Sequence, residues 1–362
     1  MNDTLLASSA ATTDPKRSVP AGPVSISTAV EADAARWDAF VATRPEAFGY
    51  HEWRWREVMA EAFGHHAVYL MAQRQSRLVG VLPLIEIRSR LFGRSLTSMP
   101  FLNYGGVLAE DADGARALVD AAIRVGRARR SRHVELRHLR RQFPDSPCRE
   151  HKVTMLLPLA AGMWERFDRK VRNQVRKAEK SGLTAARGGA ELLPEFYSVF
   201  SRNMRDLGTP VYARRFFDAI LRAFPERARI VVVRLQGQAV SAGLSYRTAS
   251  TVEVPWASSI RDFNSLCPNH LLYWHVIESA IAEGCTLLDF GRSTPHEGTF
   301  NFKAQWGAAP QPLYWEYVLA DQPSLPDHSP KNPKFRLAIE AWKHCPLWLA
   351  NAVGPVVVRS IP

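Results

Sequence analysis

Apolar residues recur along this chain with two periods, and the switches between them mark its elements. In the first half the pattern predicts a helix over 52–62, strands over 67–73 and 78–87 joined by a turn, a loop through 103–106, a helix over 112–129 and a strand over 133–137. A similar order returns later. It predicts a helix over 214–224, strands over 229–235, 239–246 and 251–256, a helix over 269–283 closed by Gly284, and a strand over 286–290. Two copies of one α+β unit account for this recurrence, inferred from element order alone because the halves share negligible identity.

Between the copies, Trp164, Phe167, Val171, Val175 and Ala178 fall at helical spacing, so 163–182 reads as one amphipathic helix. Arg169, Arg172, Arg176 and Lys180 run along its other side. From 165 to 180 seven basic residues stand against three acidic ones, and Arg176 and Lys180, four apart, repel rather than support the helix. This points to an anionic, phosphate-bearing partner, with Arg172, Asn173, Arg176 and Lys177 as candidate contacts; a solvated face is the alternative. After Ala320 the chain is proline-rich and reads as a linker. It leads to a helix over 335–353 in which Phe335, Ile339 and Trp342 share a face and which Pro346 should end. That helix either packs back on the body or makes a peripheral membrane contact, aided by Lys331, Lys334, Arg336 and Lys343.

Composition narrows the class. With 362 residues, 46% of them apolar, the chain can form two ordinary domains. The expected division is a disordered tail over 1–24, a first domain over 25–160, a second over 161–320 carrying the active site, and the linker and helix over 321–362. The tail is rich in Ala, Ser, Thr and Pro and lacks the basic start and apolar core of a secretory signal. Four separated cysteines, Cys148, Cys267, Cys285 and Cys345, suggest neither zinc nor disulfides and fit a reducing cytoplasm. No apolar run reaches the roughly 18–20 residues that span a bilayer. The formal net charge of +12 attracts polyanions without choosing among nucleic acid, phosphate-bearing substrates and anionic lipid. GxSxG, Walker A, GxGxxG and HExxH patterns are absent, which argues against hydrolase, kinase and dehydrogenase chemistry. The eleven histidines are scattered, and no metal site is expected.

Chemistry concentrates in TLLDFGRSTPHEGTFNFKAQWG, residues 286–307: an apolar strand ending in Asp289, a loop, then a short helix that Thr299 can cap and Gly307 can end. Ligands of α/β sheets gather beyond strand carboxyl ends, so Asp289, Arg292, Ser293 and Lys303 are candidates. Lys303, among Phe300, Phe302 and Trp306, could stabilise an oxyanion or hold a phosphate, or could be a surface lysine covering Trp306. Asp289 could accept a proton or form a structural pair with Arg292. Asn269 and His270 open a helix after Pro268, where free N–H groups could receive an anion or Asn269 could simply cap. The loop SMPFLNYGG offers Asn103 and Tyr104, with paired glycines that permit close backbone approach to a ligand. Tyr246, Trp256 and Tyr273 complete the candidate substrate contacts.

These pieces together resemble the FemAB-like proteins, and within them the branch associated with exosortase/PEP-CTERM exopolysaccharide loci. The resemblance rests on VRNQVRKAEKSGL, PNHLLYWHVIESAIAEG, LLDFGRS, FNFKAQWG, FLNYGG and NPKFRLAIEAW, and spans nearly the whole chain after residue 35. It implies an α+β fold of two tandem GNAT-like domains with mixed, mostly antiparallel central sheets and a substrate channel between them. It also implies acyl-group transfer, in relatives the movement of an amino acid from aminoacyl-tRNA onto an amine of a peptidoglycan precursor, with a basic residue matching Lys303 serving the reaction. The coiled-coil arm of some tRNA-dependent relatives is missing, and so is the Q/RxxGxG/A loop that holds acetyl-CoA, since the chain reads SLCPNHLL there. The expectation is therefore a cytoplasmic enzyme that forms an amide on a cell-envelope or exopolysaccharide-related amine. It would have no permanently bound cofactor, aminoacyl-tRNA or acyl-CoA as donor, and no DNA partner. Alternatives are a CoA-dependent N-acyltransferase on a sugar or small amine and a non-catalytic binding protein of polysaccharide export.

Overall fold

The computed structural model describes residues 22–89, 92–319 and 333–361. The predicted tail up to residue 21 and the proline-rich linker with Lys331 lie outside them, as do the side chains of Lys334 and Arg336. In the first half the order is β1 (Ser25–Thr28), α1 (Ala34–Ala42), α2 (Trp55–Phe63), β2 (His66–Arg74), β3 (Arg77–Ser89), β4 (Gly93–Thr97), β5 (Leu108–Ala109), α3 (Ala112–Ala128) and β6 (His133–His138). The chain continues through β7 (Cys148–Pro158), α4 (Met163–Arg166), α5 (Arg169–Lys180), β8 (Leu183–Gly188), α6 (Leu193–Asp206), α7 (Arg214–Ala223), β9 (Ala228–Leu235), β10 (Gln238–Thr248) and β11 (Thr251–Ser259). It closes with α8 (Pro268–Ala282), β12 (Leu287–Ser293), α9 (Gly298–Ala304), β13 (Ala309–Leu319), α10 (Pro333–Lys343) and α11 (Leu347–Val358).

Local chemistry explains the boundaries. Gly64 ends α2 in the left-handed region at φ 67°, and Asp111 caps α3 by accepting from Gly114 N. The β2–β3 and β9–β10 hairpins both turn through two positive-φ residues, Gln75-Ser76 and Gln236-Gly237, whose twist suits a tight antiparallel reversal. The single helix predicted over 163–182 is two. Phe167 is extended, and Asp168 restarts the chain as α5 by accepting from Lys170 N at 2.6 Å. The helix predicted over 335–353 is likewise two, with Pro346 opening α11.

The halves repeat as the sequence order implies, and they share one sheet. Its order is β1-β2-β3-β4-β6-β13-β7-β12-β11-β10-β9-β8, with β5 paired to β3. Each half contributes an antiparallel run closed by a parallel pair, β4 with β6 and β11 with β12. The strand that follows each pair crosses over: β7 lies against β12, and β13 lies against β6 and β7.

Alternate residues along the strands bury on opposite faces. Ile230, Val232, Leu244 and Trp256 join the large cluster beneath α1, α2, α6 and α7, whereas Val231, Val233, Val252, Val254, Leu288 and Phe290 join the one beneath α5 and α8. This alternation fixes which face each site residue occupies.

Candidate active site

The two parallel strands at the centre of the second half set a carboxylate pair. Glu253 of β11 and Asp289 of β12 are register partners, and their apolar neighbours Val252, Val254, Leu288 and Phe290 bury on the α5–α8 face. Both carboxylates therefore point to the other face, where the loop after β4 meets them. Asn103 Nδ2 donates to Glu253 Oε1 at 2.6 Å, and the Tyr104 hydroxyl lies 2.6 Å from Asp289 Oδ2 and 3.1 Å from Glu253 Oε2. Thr154 of β7 donates to Asp289, as does Gly291 N at 2.7 Å. The loop comes this close because Gly105 adopts φ 143° and because a Cβ on Gly106 would sit 2.2 Å from the His138 ring. The close approach read from the paired glycines is thus to the protein's own His138.

The Tyr104 hydroxyl is shared between the two carboxylates, and Tyr50 also approaches Glu253. Asp289 accepts from Thr154, Gly291 and Tyr104, which favours its charged form against the desolvation that raises its pKa. Glu253 is pushed up to about 8, first by burial and then by the Asp289 charge. Burial and the neighbouring charge thus favour the protonated form of Glu253.

Lys303, on α9, reaches β12 where that strand loosens from its neighbours. Pairing with β11 stops at Asp289, and pairing with β7 skips from Asp289 to Arg292. Into this gap Lys303 Nζ donates to Gly291 O at 2.9 Å and Arg292 O at 3.1 Å. The side chain is 7% exposed, so it is not the surface lysine of the alternative reading. Its pKa falls to about 8, lowered first by burial and partly restored by Asp289. An ammonium carries three hydrogens, and two are used here. The third remains for a ligand.

The irregularity at Phe290-Gly291 also turns Arg292 to the same face as Asp289, since a residue three places on would otherwise face away. Arg292 lies 5.4 Å from the Trp315 ring centroid, which Arg137 approaches at 4.3 Å and His151 meets edge-on at 5.3 Å. Water reaches the Arg292 side chain, yet its pKa is lowered by crowding and then by Arg137. Both hold if the guanidinium lines a wet recess rather than an outer face. Beside it, Ser293 Oγ is buried without a hydrogen-bond partner.

The structure thus brings Asp289, Asn103, Tyr104 and Arg292 to one face at the junction of the halves, with Lys303 bonded to the adjoining backbone; Ser293, paired with Val153, falls on the opposite face. It does not bring Tyr246, Trp256 and Tyr273 there. Tyr246 donates to Glu52 at 3.1 Å, Trp256 packs edge-on against Phe216 and Phe217, and Tyr273 sits between Phe290 and Phe302. Asn269 does not cap α8: its side chain bonds Ser241 and Ser259, each at 3.0 Å. His270 is buried against Trp306 and Phe302 with burial lowering its pKa to about 4, so it is neutral. Helix α9 begins after Glu297 rather than at a Thr299 cap.

The basic helix divides into two sides. Lys170, Asn173, Gln174 and Lys177, with Arg169, line a shallow open depression of about 470 Å³ beside the start of α8, where Gln174 Oε1 accepts from Cys267 Sγ at 2.7 Å. Arg176 instead stacks over Trp164 at 5.5 Å, and the Arg172 Nε is buried without a partner. The depression lies on the α5–α8 side of the sheet, away from the carboxylates, and suits anchoring rather than bond making.

Glu253, Thr154 and Trp315 were not among the sequence candidates. Glu253 had a readable signal, a lone acid between Val252 and Val254 in an otherwise apolar strand. Among the described residues no group of His, Cys, Asp or Glu has the geometry to hold a metal, and no helix is long and apolar enough to cross a membrane.

Comparison with known proteins agrees with this architecture. Residues 165–304, from α4 to the end of α9, match the family model described as Acetyltransferase (GNAT) domain. The fold is similar to that of FemX, at 16% identity and a TM-score of 0.58 over 84% of this chain and 98% of that one. It is also similar to the C-terminal domain (DUF2156) of a putative lysylphosphatidylglycerol synthetase from Agrobacterium fabrum, at 12% identity and a TM-score of 0.54 over 80% and 92% of the two chains. A tandem GNAT protein from the clavulanic acid biosynthesis pathway superposes at 11% identity and a TM-score of 0.52 over 83% and 100%. No curated protein matches the chain. The fold is the tandem GNAT fold, and the matched domain makes the protein an acyltransferase.

Proposed function

We propose that the protein joins an activated acyl or aminoacyl group to an amine at the junction of its halves. The amine nitrogen attacks the ester or thioester carbonyl, a C–N bond forms, and the C–O or C–S bond breaks. Asp289 accepts the proton the amine sheds, and the leaving alkoxide or thiolate takes one up in turn. Lys303 offers its free N–H to the oxygen of the tetrahedral intermediate. A buried, fixed ammonium is suited to this because its field acts in low dielectric without reorganising. The observation that carries the reading is the Lys303 ammonium held on two backbone carbonyls beside the Asp289–Glu253 pair.

The acceptor is an amine of a cell-envelope, peptidoglycan-precursor or exopolysaccharide-related molecule, a choice supported by the sequence motifs shared with the PEP-CTERM-associated FemAB-like branch. The donor's phosphates rest on the Lys170–Lys177 side of α5, and RNase sensitivity of activity separates an aminoacyl-tRNA donor from an acyl-CoA. The test of Lys303 is Lys303→Ala, assayed by single-turnover transfer once a donor is known. Loss of on the order of 10²-fold or more with an unchanged circular dichroism spectrum is expected. Near wild-type turnover would remove Lys303 from the reaction.

The protein works in the cytoplasm against an anionic bilayer surface, which α11 touches. That helix carries no charged residue, and Trp348 and Val356 on it are 72% and 65% exposed. With Leu337 on α10 at 82%, these exceed every other exposed large apolar side chain among the described residues. Lys343 and Arg359 flank α11, which complements anionic headgroups.

A further inference from the structure

We infer that the recess formed by Arg292, Trp315 and Arg137 binds a carboxylate carried by the amine acceptor. The inference rests on the acyl-transfer reading for the word acceptor, and on independent geometry for the anion.

Among the described residues the Arg292 guanidinium makes no hydrogen bond or ion pair; it is open to water and stands beside Trp315 and Arg137 where the halves meet. Its neighbour Arg137 is committed, donating to Glu135 Oε1 at 2.6 Å and to Leu102 O at 2.9 Å. Glu135 is bonded to Arg137 and acts on Arg292 only as a more distant charge. An arginine fork held 5.4 Å from the centre of an indole presents two parallel N–H groups that match a carboxylate. Two guanidinium groups near one ring repel, and Glu135, bonded to Arg137, relieves that repulsion only in part. The stacking on Trp315 offsets only part of that repulsion.

Position gives the anion its meaning. The bulge at Phe290-Gly291 puts Arg292 and Asp289 on one face of the sheet, and the Arg292 carbonyl is itself an anchor for Lys303. A zwitterion spanning the two would place its ammonium at Asp289 and its carboxylate at Arg292. Three strand residues rise by roughly 10 Å at most and less across a bulge, so the ligand holds several bonds between its two charges. A sugar amine or simple alkylamine lacks the second charge. An amino acid or the free end of a peptide has it.

The test is calorimetric titration of the full chain with ω-amino acids from glycine to 6-aminohexanoate and with alkylamines of the same lengths. At least one amino acid of intermediate length should bind tenfold or more tighter than its matching amine. Arg292→Gln should erase that preference, and Arg292→Lys should keep part of it. Because the readout is binding, a failed Lys303 mechanism and a failed carboxylate site give different results. The inference is overturned if no amino acid outbinds its amine, if the preference survives in Arg292→Gln, or if inorganic phosphate binds more tightly than every amino acid tested.

Discussion

Burial pushes the pKa of Glu253 up and that of Lys303 down, each to about 8. Burial and the Asp289 charge hold a proton on the acid, while burial strips one from the base. The linkage signs follow. Glu253, raised above its ordinary value near 4.3, contributes stability that is complete below that value and is lost as pH climbs through 8. Lys303, depressed from its ordinary value near 10.4, contributes stability that is complete above that value and is lost as pH falls through 8. Glu253→Gln keeps the shape and removes the titration, so the fall in denaturant midpoint expected of the wild type between pH 5 and 8 should be smaller in the variant. Parallel midpoint-versus-pH curves for the two proteins would show that Glu253 does not hold a proton in the folded state. Lys303 also predicts an alkaline limb in transfer rate near pH 8, since only the ammonium serves an oxyanion.

Among the elements, β12 does the most with the fewest residues. Gly291 sits at φ 73°, its N–H holds Asp289, its carbonyl holds Lys303, and a Cβ there would lie 3.0 Å from the Val254 carbonyl oxygen. Gly291→Ala should cost about 1–3 kcal/mol in chemical denaturation from the left-handed backbone alone and should slow transfer by more than its stability loss explains. A midpoint within error of wild type would show that the strand relaxes at no cost. Strong periodicity made most of the helices and hairpins legible, β2, β3, β9, β10 and α8 among them, because their alternation is set by burial on known faces. The break at Asp168 was hidden because apolar spacing continues through it, and only the capping aspartate marks the restart. The strands β7 and β13 were not predicted. CREHKV opens β7 with charged and polar residues, and β13 carries Pro310 and Pro312, so their strand state comes from partners far away in sequence.

At the scale of the whole molecule, site legibility followed the same division. Lys303, Asp289, Asn103 and Tyr104 stood out as polar residues in apolar or glycine-rich settings. Tyr246, Trp256 and Tyr273 looked alike in sequence but fill the interior, because an aromatic residue on a strand or helix serves packing as readily as binding. The outer surface makes its own prediction through α11. Sedimentation with vesicles containing phosphatidylglycerol should carry the protein down at low salt, and phosphatidylcholine vesicles should carry little. Trp348→Ala combined with Val356→Glu should reduce pelleting several-fold without altering the fold. Equal recovery of wild type and variant in the pellet would exclude this helix from lipid contact.

The crossing of β7 and β13 has a last consequence for how the chain comes to be. At the moment β6 emerges during synthesis, the strand destined to lie against it is still untranslated, about half the polypeptide away. The amino-terminal portion must wait with a raw edge until nearly the final helix is made, a period in which stray strands compete for it. Severing the protein between its repeats would leave each fragment short of a strand that belongs to the other, like two gloves sewn with one thumb exchanged.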